Sequence, residues 1–323
     1  MPPGPCGPHR PVRRAPAGRL GCRRTAGSGG AGGAGRTGGA QRSGREAPVA
    51  SRLLALWHSR RIVGLLVRRD LKVRYQGSVL GYAWSMLEPL AMAGIYFFVF
   101  GLVFDTDRGV PGGGDAPGGY LLFLISGLLP WLWFSQSLNR APNAILSHSR
   151  LITTLRVPRE VFPVQEAAAK FVDYLLTWPV LLAFVAVLGG RTSAQGLMVW
   201  LPLAVTAQLV LTVGTTLLLA TVNVLVRDVE RIVRILNRVL FYASAIIIPS
   251  GLVLDSGRFP AWFTTLFQLN PLLGIFKMHH AVWYPADAPG ALALTASVAG
   301  PVLVLAAGCA TFRRLEAPVL KEL

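Results

Sequence analysis

Four cations stand close together at Arg68, Arg69, Lys72 and Arg74, and Tyr75 closes the stretch. A guanidinium grips phosphate oxygens in a two-pronged fork, so this cluster has the chemistry to hold a phosphate-bearing group. The same cations suit an anionic inner leaflet equally well. Few ionisable groups lie inside apolar runs: Glu88 beside Pro89, Asp173 and Arg238. A carboxylate at the position of Glu88 is costly in hydrocarbon, so it faces a protein interior or water path, or it snorkels to the boundary; both readings stay open. His279 and His280 are adjacent, so they do not share a helix face, and no carboxylate follows at the next turn; a metal site is not expected. The three cysteines, Cys6, Cys22 and Cys309, form no paired motif. The four lysines, at 72, 170, 277 and 321, never follow glycine, which excludes the phosphate-cradling loop of a P-loop ATPase.

Aromatic side chains are the second resource. Trp84, Tyr96, Phe97, Trp131, Trp133 and Tyr242 all lie in or beside apolar runs. Most such rings anchor helices at the interface or pack between them. A subset lining a conduit would stack on the apolar faces of sugar rings, binding weakly at many places as a sliding polymer requires.

The elements that must position these groups are membrane helices. The chain has 323 residues, 52% hydrophobic and 15% charged, too few charges for an ordinary soluble domain. A span needs roughly 20 apolar residues, and six stretches meet that approximately: 83–104, 120–138, 171–188, 197–222, 235–254 and 291–312. A seventh, 259–276, is interrupted by Gln268, Asn270 and Pro271 and reads as two short re-entrant or interfacial helices. The expectation is an all-α integral membrane protein with six spans and a re-entrant segment between the fifth and sixth. Placing both termini in the cytoplasm puts 19 Lys/Arg inside and four outside, with nine more in the first fifty residues. That leading stretch, 1–50, is rich in Arg, Gly and Pro and is expected to be disordered; no role is assigned to it.

Ahead of the first span, residues 51–75 repeat apolar side chains at steps of four and seven (Leu56, Val63, Val67, Leu71, Tyr75) with cations between them. This predicts an amphipathic interfacial helix with its apolar face in the headgroup boundary; a helix packed on a partner is the alternative. The loop 139–170 is predicted to hold a short helix at 143–152 and a second beginning after Val157-Pro158-Arg159-Glu160.

Three stretches then resemble the permease subunit of a type 2 ABC exporter of the polysaccharide, O-antigen and teichoic-acid class. Arg69-Asp70-Leu71-Lys72-Val73-Arg74-Tyr75-Gln76-Gly77-Ser78, with Leu80-Gly81, Trp84 and Pro89, is similar to that family's lead-in to its first span. Leu155-Arg156-Val157-Pro158-Arg159-Glu160-Val161-Phe162-Pro163 resembles its loop before the third span. Asn223, Val226-Arg227-Asp228 and Asn270-Pro271 resemble its fourth-to-fifth loop and outer segment.

The resemblance implies a plasma-membrane homodimer clasped by two copies of a separate ATP-binding subunit, which would hold ATP and Mg, with no cofactor in this chain. It implies a conduit for a lipid-linked glycan, partners limited to that glycan, membrane lipids and the ATPase, and no nucleic acid. On this reading Arg68, Arg69, Lys72, Arg74, Tyr75 and Glu88 receive the substrate head group. The six aromatics line the conduit, and Asn143, Leu146, His148 and Arg150 meet the ATPase. A drug or lipid exporter of the same fold and a multi-pass envelope enzyme are the rival readings. The enzyme would need an acid/base pair that so few in-span carboxylates hardly supply.

Overall fold

The computed structural model describes residues 60–103, 119–149, 158–188 and 194–322. The leading stretch 1–50, the first part of the predicted 51–75 helix, Arg150 and the end of the predicted 143–152 helix lie outside these residues. Among the described residues every regular element is helical.

Helix α1 (Arg60–Tyr75) leads through a 3₁₀ turn at Gly81–Ala83 into α2 (Trp84–Tyr96), which continues as a wider π-type turn over Phe97–Val103. Then come α3 (Gly119–Arg140), α4 (Val161–Val187), α5 (Leu201–Leu225, preceded by a π-type turn at Gly196–Trp200) and α6 (Val229–Tyr242). The chain ends with α7 (Gly251–Leu254), α8 (Ala261–Gln268), α9 (Pro271–Ala281) and α10 (Ala291–Glu322). Among the described residues, five stretches are long and apolar enough to cross a bilayer: 81–100, 119–143, 161–187, 196–225 and 291–315.

The predicted fifth span, 235–254, is not one helix. α6 stops at Tyr242, and residues 243–250 run irregularly, with Ala245 at φ 52°. Apolar content alone cannot hold a helix there, because distant side chains capture the backbone. The Asn270 amide donates to Ala243 O at 2.9 Å and to Ser244 Oγ at 3.2 Å, and Tyr120 Oη donates to Ile247 O at 3.1 Å. Carbonyls freed inside an apolar layer need such partners. The Asn270 carbonyl also accepts from Leu272 N at 3.0 Å and so caps α9. The two short helices expected over 259–276 are present as α8 and α9, the second running to Ala281.

α3 is apolar all round, and nearly every residue from Leu122 to Leu138 is buried, so it is the central helix. α5 and α10 lie very close together. A Cβ on Gly214 would sit 2.6 Å from Leu305 N, and one on Gly308 would sit 2.4 Å from Gly214 O. Only small residues allow backbones to approach so nearly.

α1 departs from its expected placement. Val67 and Leu71 are buried against Ala169, with Val63, Tyr75, Ala168 and Val172 around them, so this face docks on α4 of the same chain instead of the headgroup boundary. The alanines at 168 and 169 leave the room for it. Between α3 and α4 the chain makes 3₁₀ turns at Ala141–Asn143 and Leu146–His148 in place of the predicted helix. Here Ala144 and Ile145 are drawn into the core against Phe162, Leu217 and Val224, and Asn223 Nδ2 donates to Pro142 O at 2.9 Å.

Candidate functional site

A cavity of about 330 Å³ opens among α1, α2, α3 and α4. Its wall includes Arg74, Tyr75, Trp84, Glu88 and Trp133, all expected from the sequence, together with Gln136, Lys170, Asp173, Tyr174 and Thr177. α1 reaches the cavity because Val67 and Leu71 dock on α4, which brings the last turn of α1 against the first half of α4.

One chain of charges organises the wall. Asp173 Oδ2 accepts from Arg74 Nη1 and also from Lys170 Nζ at 3.1 Å. Lys170 donates in addition to Gln136 Oε1 at 2.7 Å, and Arg74 Nη2 reaches Asp70 at 3.1 Å. Arg140 stands 4.0 Å from Asp70 and 3.8 Å from Glu166, extending the chain. Burial alone would lower the Arg74 pKa, but Asp173 and Asp70 outweigh it and hold the guanidinium above its ordinary value. Burial, then Asp173, pushes the Tyr75 phenol up, so it stays neutral. Two groups of this wall are buried without a partner: Trp133 Nε1 and Asp173 Oδ1. The Trp133 ring stacks on Tyr174, centroids 5.3 Å apart at 17°, and leans on Phe171 at 4.9 Å.

The remaining expected residues lie elsewhere. Arg68, Arg69 and Lys72 are exposed on α1. Trp131 is buried among Phe134, Phe241 and Phe276, and Tyr96 packs on Phe241 at 5.6 Å; this cluster is core packing. Phe97 packs against the same core. Tyr242 is 71% exposed and borders an apolar groove with Phe259 and Phe263. Asn143 is exposed, whereas Leu146 and His148 are half-buried, the imidazole stacking on Phe162 at 5.2 Å.

Lys170 and Asp173 carry the cavity's electrostatics, yet only Asp173 stands out in the sequence, as an in-span carboxylate. The signal for the pair is their i,i+3 spacing, which places them on one helix face. His279 Nε2 meets Gln208 Oε1 at 2.9 Å, while His280 Nδ1 meets Asp287 at 3.3 Å, so the two rings serve different partners. Among the described residues no three His, Cys, Asp or Glu gather as metal ligands.

The arrangement is a charge-matched, aromatic-walled recess among four helices. No protein-family model matches the chain. It is 34% identical over 209 residues to an O-antigen export system permease protein RfbA of Klebsiella pneumoniae, spanning 64% of this chain and 74% of the relative. It is 30% identical over 258 residues to the RfbA of Myxococcus xanthus, covering 80% of this chain and 93% of that protein. The polysialic acid transport protein KpsM of Escherichia coli matches at 23% identity over 258 residues. With a helical bundle, five apolar helices of spanning length and these relatives, the chain belongs to the permease family of type 2 ABC exporters of the polysaccharide and O-antigen class.

Proposed function

We propose that the chain is the membrane subunit of an ATP-driven exporter that carries a lipid-linked cell-envelope polysaccharide outward, acting as two copies with two copies of a separate ATP-binding subunit. The observation that carries this reading is the similarity to O-antigen export permeases over most of both chains. Both termini lie in the cytoplasm, a placement supported by the positive-inside bias of the cations. α6 to α9 then form the fifth crossing and a re-entrant pair, with the backbone break at 243–250 satisfied by protein groups as membrane depth demands.

The ATPase pushes on the turns around Asn143. Ala144 and Ile145 are buried against Phe162, Leu217, Val224 and Phe312, and Asn223 Nδ2 donates to Pro142 O at 2.9 Å. A force on the turns therefore reaches α4, α5 and α10 through packed side chains. The exposed cations of α1 hold the lipid head group at the inner leaflet.

Two measurements test the reading together. Tagged chain purified from its native cell in mild detergent is expected to retain a stoichiometric ATPase, and a strain depleted of the chain is expected to accumulate undelivered glycan. A chain that purifies without an ATPase, from cells whose surface glycan is unaffected by depletion, would overturn it.

A further inference from the structure

Resting on the export reading, we infer that the cavity among α1, α2, α3 and α4 binds a single sugar ring of the substrate, and does not clasp its phosphates. Charge matching is the first argument. The cations of the wall, Arg74 and Lys170, both bond to Asp173, Arg74 is also engaged by Asp70, and Glu88 adds a second carboxylate to the wall. No net positive field remains there to hold a diphosphate.

The unpaired atoms are the second argument. Trp133 Nε1 is a buried donor without an acceptor, and Asp173 Oδ1 is a buried acceptor without a donor. A buried polar atom left unpaired is unfavourable. A hydroxyl group both accepts and donates, so sugar hydroxyls seated in this wall supply Trp133 Nε1 with an acceptor and Asp173 Oδ1 with a donor, the bond to the carboxylate being charge-assisted. Trp84, 49% exposed and on the same wall, offers a ring face for the apolar side of the sugar. Volume agrees: about 330 Å³ is at the small end of ligand sites and holds one ring, not a polymer. The cavity thus reads the sugar nearest the lipid, while the exposed cations of α1 remain for the phosphates.

The test uses the permease with its ATPase partner in nanodiscs and three kinds of probe: farnesyl diphosphate, the same lipid bearing one N-acetylhexosamine, and its monodeoxy variants. The wild type is expected to bind the sugar-bearing probe about tenfold more tightly than the sugarless one, with one deoxy variant losing most of that gain. Trp133→Phe is expected to flatten the deoxy series while binding the sugarless probe as before. Should Trp133→Phe fail to assemble, the paired replacement Lys170→Met/Asp173→Leu removes the acceptor together with its cation and is expected to flatten the same series. Equal binding of sugar-bearing and sugarless probes, or an unchanged deoxy series in the variants, would overturn the subsite. Loss of every probe in both variants would assign the two atoms to folding and overturn it as well. Export by the wild type in the depleted strain is scored separately, so a failed subsite leaves the export reading standing and a failed complementation does not.

Discussion

Asp173 Oδ2 is shared by two cations, and what each group retains when another is removed sets the energetics. After Asp173→Leu the ammonium of Lys170, whose side chain is 6% exposed, keeps only the neutral Gln136 Oε1. A buried charge stripped of its partner costs about 3–5 kcal/mol; the surviving hydrogen bond puts this case at the lower end. Arg74 adds little, because it is more exposed and still has Asp70. Lys170→Met is milder, since Asp173 remains paired with Arg74, and should cost about 1 kcal/mol. The double variant Lys170→Met/Asp173→Leu removes both charges and should again cost about 1 kcal/mol, which leaves a coupling of about 3 kcal/mol between the two positions. Reversible unfolding in mixed micelles of rising dodecyl sulfate content, followed by circular dichroism, gives the four free energies. A double variant costing as much as the two single ones together would refute the reasoning, as would an Asp173→Leu loss under about 1 kcal/mol.

Asn270→Ala removes the α9 cap and the donors to Ala243 O and Ser244 Oγ, and should cost about 2 kcal/mol in the same assay. Asn270→Asp, which keeps the cap acceptor but loses the donors, should fall between that and the wild type; an Asp variant as costly as Asn270→Ala or costlier would show that the break and not the cap is decisive. Gly214→Ala places a methyl 2.6 Å from a backbone nitrogen that cannot yield, and should cost about 1–3 kcal/mol. Size-exclusion yield in mild detergent checks this, with wild-type recovery as the contrary result. Asn223→Ala cuts the bond to Pro142 O and is expected to lower glycan delivered per ATP hydrolysed while ATP hydrolysis itself persists; an unchanged ratio would remove the turns from the coupling path.

Five of the apolar stretches were legible because lipid burial and window-averaged apolar content are the same demand. The stretch 235–254 satisfied that demand too, since Ile246 and Ile247 are indeed buried, but burial does not specify backbone geometry. Its course is decided by Tyr120 and Asn270, side chains far away in sequence, and no local pattern announces them. The docking of α1 on α4 was hidden for a similar reason: a face built of Val67 and Leu71 suits a headgroup boundary and an alanine-lined helix equally. The cavity wall was half readable. Arg74, Tyr75, Trp84, Glu88 and Trp133 were singled out by type, whereas Lys170 looks in sequence like an ordinary boundary cation.

The two tryptophans of α3 are separated by helix geometry. Successive helical residues are turned by about 100°, so Trp131 and Trp133 stand about 200° apart and cannot line one face of α3 together. Choosing between them needs the neighbours: Trp133 lies toward α4, against Phe171 and Tyr174, and Trp131 toward α6 and α9, against Phe241 and Phe276. Since α4 also carries Lys170 and Asp173 three residues apart, the ring that shares their side of α3 is the one with polar neighbours. Periodicity thus excludes a shared face for the two tryptophans, and the charged pair on the facing helix lies with Trp133, not Trp131, in the cavity wall.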